Sequence, residues 1–370
     1  MRALSAMFMI TFAAYLVVCL FTLVYGVDPV VAALDTGDYS YTLYFVFVVF
    51  VPLATISGGA LIGYYALLVA TILVSAIWLL LKSARKFAAE LTMRGKSRDH
   101  SPFFDLCALM FAILFVNTVI VVFLTVAGDA PTSPVERMED WELLFVLANA
   151  SVWEELIARV MLIGLPLIVI DAFQREALRS PHRYVLGGGI EIGRSQAMLV
   201  IISAVVFGLA HYEGWGSWKV FPAALAGMAF GYIFLKHGLT VAIMLHFSFD
   251  YLSMPLLLFE DATALLLVVA LGVLLWIGLG MGFTIYFAIR IVEFINNKRY
   301  LDGAEPVPVG AADPYSTPRW PESQLRQTRL QWHPSVGVGH GFFVCPTCGS
   351  GEAKWHDGGL LCLRCGRLFK

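Results

Sequence analysis

Apolar runs of near-membrane length recur along this chain, at about 6–27, 41–56, 60–82, 103–127, 141–170, 196–216, 218–235, 239–259 and 263–290. An α-helix needs about 20 apolar residues to cross hydrocarbon, so each run is a candidate crossing. The stretch 41–81 is too long for one crossing, and Pro52 with Ser57-Gly58-Gly59 offers the turn that divides it. The division predicts nine spans, with eight as the alternative. Only 14% of the 370 residues are charged and 59% are hydrophobic, against about 25% charged in soluble domains. The expected fold is therefore an all-α polytopic membrane protein. The first run is preceded only by Arg2 and has no convincing cleavage site, so it reads as a retained helix and not as a removed signal peptide.

Orientation follows from the basic residues of the short loops. Segment 82–100 carries Lys82, Arg85, Lys86, Arg94, Lys96 and Arg98, and segment 171–194 carries Arg175, Arg179, Arg183 and Arg194. Segment 128–140 has one arginine against four acids. Both basic loops and the C-terminal tail are thus expected in the cytosol, in a protein of the cell membrane. Nine spans would put the N-terminus outside, whereas Arg2 and the acidic stretch 28–38 favour the opposite. A re-entrant segment within 41–81 would remove that conflict. No internal repeat is evident, which gives no support to a transporter built on inverted repeats.

Inside the run 141–170 lies SVWEELIAR, residues 151–159, with Glu154, Glu155 and Arg159 at hydrocarbon depth. A charge there costs roughly 2.5–3.5 kcal/mol on insertion scales, so such side chains face a bundle interior and carry function by default. Glu155 and Arg159 are four apart on one helical face and can pair. Glu154 is turned about 100° away with no cation at i+3 or i+4. A desolvated carboxylate beside a second one is the setting of a general base, although a Glu–Arg lock between helices is the plainer reading of the pair alone. Two later spans add partners. Phe207-Gly-Leu-Ala-His211 sets a histidine near one end of the run 196–216, and His246-Phe-Ser-Phe-Asp250 sets a histidine and an acid one turn apart. A lone buried histidine is commonly a packing residue, and an i, i+4 His–Asp pair is commonly structural. Concentrated on three spans, however, these side chains are the inventory of shielded hydrolytic chemistry. His100, His182, His237, His333, His340 and His356 fall in loops or at helix ends and are given no role.

Glu154-Glu155-x-x-x-Arg159, Phe207-x-x-x-His211 and His246-x-x-x-Asp250, in that order on consecutive spans, resemble the CAAX protease and bacteriocin-processing family of intramembrane proteases. The likeness covers roughly residues 141–255. It implies that Glu154 and His211 activate a water, that Glu155 and Arg159 support them, and that His246 and position 250 steady the oxyanion. Position 250 is often Asn in that family and here is Asp; an ionised Asp cannot donate to an oxyanion. Either Asp250 is protonated or it orients His246, and the second reading is preferred because it needs only a His–carboxylate bond. An active-site Zn²⁺ held by His, His and Glu stays open as an alternative. The spacing lacks the His-Glu-x-x-His arrangement, which favours water activation without metal.

The last 26 residues contain four of the six cysteines, as Cys345-Pro-Thr-Cys348 and Cys362-Leu-Arg-Cys365 with a glycine after each pair. Two C-x-x-C knuckles are a tetrahedral zinc pattern, and a cytosolic tail disfavours disulfides, so a structural zinc ribbon is expected. Cys19 and Cys107 stand singly in apolar runs and read as packing residues. The organisation expected is N-terminal helices over 1–140, a protease core over 141–260, a last span over 261–300, a Pro-rich linker over 301–341 and the ribbon over 342–370. The reading is an intramembrane endopeptidase acting on a membrane-anchored protein or lipidated peptide, with the prenylated CAAX type as one candidate. Its rivals are a non-catalytic scaffold or immunity-type member of the same family and a proton-coupled transporter. The ribbon's partner is unknown; the net charge of −2 and the few basic residues of the tail make nucleic acid a poor candidate.

Overall fold

The computed structural model describes residues 2–46, 50–92, 100–128, 131–132, 137–173, 179–259, 263–296, 353–356, 359–362 and 368–369. The chain divides into two units, Met1–Glu305 and Pro306–Lys370. Among the described residues the first is helical apart from one hairpin and the connecting turns. It runs α1 (Arg2–Tyr25), α2 (Val27–Asp35), β1 (Ser40–Val46), β2 (Phe50–Ser57), α3 (Gly58–Thr92), α4 (Pro102–Val126) and α5 (Asp140–Asn149). Two π-helical stretches, Ala150–Glu154 and Leu156–Gly164, continue α5 into α6 (Leu165–Phe173). Then come α7 (Pro181–Leu186), α8 (Arg194–Ala210), α9 (Tyr212–Trp215), α10 (Ser217–His237), α11 (Leu239–Asp250), α12 (Met254–Leu258) and α13 (Thr263–Asn296). Among the described residues seven helical segments are long and apolar enough to cross a membrane, and α11 is a shorter apolar helix. The molecule is an integral membrane protein of mainly α-helical build.

Two expected spans are corrected. The run 41–56 is not a helix but the antiparallel hairpin β1–β2. Its residues are mostly aromatic or β-branched, which suits a pleated surface, and Pro52 would break the i→i−4 ladder of a helix. Tyr44 pairs with Pro52 next to an irregularity in register, where the proline's missing N–H costs the ladder least. The run 239–259 is also broken: α11 ends at Asp250, and a turn leads to α12, which carries Pro255 in its first turn. Nine crossings thus reduce to eight at most.

The helices that matter for chemistry are held by close small-residue contacts. Where α8 crosses α10, a side-chain carbon added at Gly208 would lie 2.5 Å from the Val220 carbonyl oxygen, and one at Gly227 would lie 3.1 Å from Ala204 Cα. In a bilayer, where apolar burial gives no drive between helices, such approach is the main source of packing energy. A polar lock joins α4 to α10: one oxygen of buried Asp105 meets Lys236 Nζ and His237 Nε2, each at 2.6 Å. The acid lies in the first turn of α4 and the two bases in the last turn of α10, so each complements its helix dipole. Beside the π-helical stretch, Tyr251 donates to the Leu144 carbonyl at 2.7 Å and Tyr64 donates to Asn149 at 2.6 Å, while the Asn149 amide donates to Tyr41 at 3.0 Å. Cys19 and Cys107 are free and buried.

In the second unit, β3 (Ala353–His356), β4 (Gly359–Cys362) and β5 (Leu368–Phe369) form an antiparallel sheet in that order. Cys362 ends β4. Cys345, Cys348 and Cys365 lie outside the described residues, as does the expected linker 301–341.

Candidate active site

The site is built on the widened helix that runs through Glu154. In a π-helix the bonds close i→i+5, so successive side chains turn by less than the 100° of an α-helix. Glu154 and Glu155 are thus turned apart by somewhat less than an α-helical reading expects. Both approach one imidazole: His246 Nδ1 stands 3.0 Å from Glu155 Oε1, and His246 Nε2 stands 4.0 Å from Glu154 Oε2.

Glu155 and Arg159 are wholly buried and form the expected pair, with Nε to Oε2 at 2.9 Å and Nη2 to Oε1 at 3.3 Å. Arg159 Nη1 also donates to Ser203 Oγ at 3.0 Å, and that hydroxyl donates to the Ala158 carbonyl at 2.6 Å. The guanidinium lies over the rings of Phe207 and Phe230, 5.2 and 5.6 Å from their centroids. Three of the cation's N–H groups thus meet acceptors and its face meets two rings, which is the kind of compensation a buried ion pair needs. Phe230 stacks on His246 at 4.8 Å and fixes the ring plane.

Glu155 accepts from His246 Nδ1, a partner the sequence does not suggest, while Asp250 stands at the ring's other nitrogen. Asp250 faces the other nitrogen, Nε2, at 3.2 Å, but off the line of a good hydrogen bond: its Oδ2 is sealed from solvent with no hydrogen-bond partner among the described residues. Glu154 Oε2 is in the same condition, although 36% of the Glu154 side chain is exposed. Two buried acceptors without donors, both beside His246 Nε2, mark a place that a donor must fill. His211 caps α8, donates from Nδ1 to the Phe207 carbonyl at 2.8 Å and so presents Nε2 as an acceptor. It lies within electrostatic reach of Glu154, as do His246, Asp250 and Glu155. The hairpin closes one side: Trp153 Nε1 donates to the Tyr44 carbonyl at 2.9 Å, and Tyr41 is within electrostatic reach of Glu154.

The structure thus brings Glu154, Glu155, Arg159, His211, His246 and Asp250 together from three elements distant in sequence. Among the described residues no group of three or more His, Cys, Asp or Glu side chains is disposed to hold a metal ion. Three contributors are absent from the sequence reading. Ser203 was accessible, since Ser203, Phe207 and His211 repeat at i, i+4 and i+8 on one face of α8. Phe230 had no signal, because an aromatic in an apolar helix is unremarkable. Lys219 did have one, as the sole cation in the first half of α10; it lies within electrostatic reach of Glu154 and Asp250.

Comparison with known proteins places the site in a class: residues 138–252 match the family of type II CAAX prenyl endopeptidase Rce1-like proteins. That interval contains all six residues just named and supports kinship with the CAAX-type intramembrane proteases. No curated protein and no solved structure matches the chain.

Proposed function

We propose that the chain is an intramembrane endopeptidase that hydrolyses a peptide bond of a membrane-anchored protein or lipidated peptide. The observation that carries this reading is the convergence of Glu154 and Asp250, each with an unpartnered buried oxygen, on the free nitrogen of an imidazole locked by Glu155. A water in that space donates to Glu154 and to His211 Nε2, which take one of its protons as the oxygen attacks the carbonyl carbon. The proton then passes to the leaving amine as the C–N bond breaks. His246, with Nδ1–H given to Glu155, donates from Nε2 to the oxyanion when it carries both ring protons, its charge balanced by the surrounding carboxylates. Asp250, lying within 3.2 Å of Nε2, gives way to the oxyanion or shares that proton. Among the described residues no three side chains are disposed to hold a metal ion, and the steps are therefore written through Glu154, His211 and His246.

The tail belongs to the same proposal. Cys345, Cys348, Cys362 and Cys365 hold a structural zinc, with an unidentified protein partner more fitting than nucleic acid. The positive-inside rule applied to eight crossings puts both chain ends and the basic loops in the cytosol, which agrees with Arg2 and with the acidic stretch 28–38 on the far side.

The test is cleavage of a panel of lipidated and hydrophobic peptides by purified protein, wild type beside Glu154→Gln, with and without a strong chelator. The expected result is cleavage that falls by about 10²–10⁴ in the variant at unchanged fold, with the chelator removing zinc from the tail and leaving hydrolysis intact. A well-folded wild type that cleaves nothing would favour the scaffold reading. Chelator-sensitive hydrolysis would overturn the metal-free mechanism.

A further inference from the structure

The hairpin brings to the site a polar chain that the hydrolytic steps do not use. Tyr64 on α3 donates its hydroxyl to Asn149 Oδ1 at 2.6 Å, and Asn149 Nδ2 donates to Tyr41 Oη on β1 at 3.0 Å. The two lengths fit these roles, since O–H···O bonds centre at about 2.7–2.8 Å and N–H···O bonds at about 2.9–3.0 Å. The buried amide thus runs the chain in one direction, from Tyr64 to Tyr41. Tyr41 accepts from it, and the proton of its own hydroxyl meets no acceptor among the described residues. Its ring is held edge to face against Phe145, with centroids 5.0 Å apart.

Asn149 ends α5, and Glu154 ends the π-helical stretch that follows, five positions on. Bonds that close i→i+5 bring residues five apart towards one face, whereas an α-helix turns them about 140° apart. Trp153, which precedes Glu154, holds the same strand three residues beyond Tyr41 by donating to the Tyr44 carbonyl at 2.9 Å. β1 therefore lies along the turn that leads from Asn149 to Glu154, and Tyr41 and Glu154 are within electrostatic reach of each other. An unspent phenol donor accompanies Glu154 Oε2, a sealed acceptor with no donor among the described residues. A helical turn of about 5.4 Å is the span of one water between a donor and an acceptor.

We propose that Tyr41 is a further catalytic residue, whose hydroxyl donates to the oxygen of the water that Glu154 activates. The inference rests on the hydrolytic reading of that site. A water that directs its two protons at Glu154 and His211 keeps two lone pairs. The phenol takes one of them and so turns the other towards the carbonyl carbon. The Tyr41 proton stays on its own oxygen throughout: the proton lost by the water still goes to Glu154 and His211, and the new C–O bond is made by the free lone pair. Asn149 and Tyr64 are positioning residues, which occupy a lone pair of Tyr41 and leave its O–H as the only group it has to give. A chain of such bonds also polarises its last donor.

The experiment is steady-state cleavage of a lipidated peptide by the full-length protein, with detergent unfolding measured alongside. Tyr41→Phe deletes the hydroxyl and keeps the ring on Phe145. The expected result is a kcat lower by about tenfold, the worth of one hydrogen bond, at unchanged KM and unchanged unfolding midpoint. Asn149→Leu should lower kcat of the folded fraction by a similar factor, and combining the two should add nothing, because Asn149 acts through Tyr41. A fluorinated tyrosine at position 41 carries a more acidic phenol and loses its proton at lower pH, so its kcat should decline at a lower alkaline pH than that of the wild type. Glu154, Tyr39, Tyr44 and Tyr64, the titratable groups within electrostatic reach of Tyr41, are the same in both proteins, which assigns the difference to position 41. Wild-type kcat in Tyr41→Phe, a rise in KM alone, or a pH profile unmoved by fluorination would overturn the proposal and leave the hydrolase standing. A well-folded wild type that cleaves no peptide would overturn both.

Discussion

Replacing Arg159 by Met keeps the length and volume of a fully buried side chain while deleting its charge. Glu155, itself without exposure, then loses contacts at 2.9 and 3.3 Å, Ser203 loses its donor at 3.0 Å, and Phe207 and Phe230 lose their cation. Removing one partner of a buried ion pair costs about 3–5 kcal/mol, because the remaining charge is left without compensation. The folded-to-unfolded ratio should accordingly drop by roughly 10²–10⁴. Unfolding of the detergent-solubilised protein by a denaturing detergent, followed by tryptophan fluorescence, measures this directly. The paired variant Glu155→Gln with Arg159→Met should recover most of the loss, since it leaves no lone charge, yet it should not recover hydrolysis, since Gln no longer holds His246 as a carboxylate does. If Arg159→Met costs less than about 1 kcal/mol, or if the paired variant is no better than the single one, the lock is not what organises the site.

Two further outcomes follow from the packing. Gly208→Val drives a side chain against the Val220 carbonyl and Ala224, so it should separate α8 from α10, displace His211 and lower kcat at least tenfold; peptide-cleavage rates with a cross-linking check of α8–α10 spacing would show it, and wild-type rates would refute it. Asp105→Asn leaves Lys236 and His237 without their carboxylate, which should reduce stability by about 1.5–3 kcal/mol in the same unfolding assay while leaving kcat of the folded fraction unchanged; a loss of kcat with full stability would show instead that this lock communicates with the site.

What the sequence disclosed was set by the cost of charge in hydrocarbon. Glu154, Glu155, Arg159, His211, His246 and Asp250 stand out because few other ionisable residues share their runs, and the Glu155–Arg159 bond follows from i, i+4 spacing alone. Long-range partners do not announce themselves in this way: Glu155 meets His246 across 91 positions and adds a second carboxylate to the ring that Asp250 also faces. The π-helical widening was hidden as well, because no local residue pattern demands it; it is what lets two consecutive carboxylates face one ring. The hairpin was the clearest misreading. Hydropathy counts apolar residues without asking about shape, and 41–56 is short, β-branched, aromatic and interrupted by a proline. His237 looked like a loop residue until Asp105 of α4 met it 132 positions away.

The shortness of α11 bears on where the reaction finds its water. Twelve residues rise about 18 Å, well under the roughly 30 Å of a hydrocarbon core. The turn that follows it is buried in protein, with Tyr251 and Met254 wholly enclosed, which is the condition under which a chain can leave the helical ladder at membrane depth. Asp250 stands at the end of this short helix, beside that turn. In the proposed hydrolysis the scarcest reactant is water, and the 36% of the Glu154 side chain left exposed is where it would meet the carboxylates.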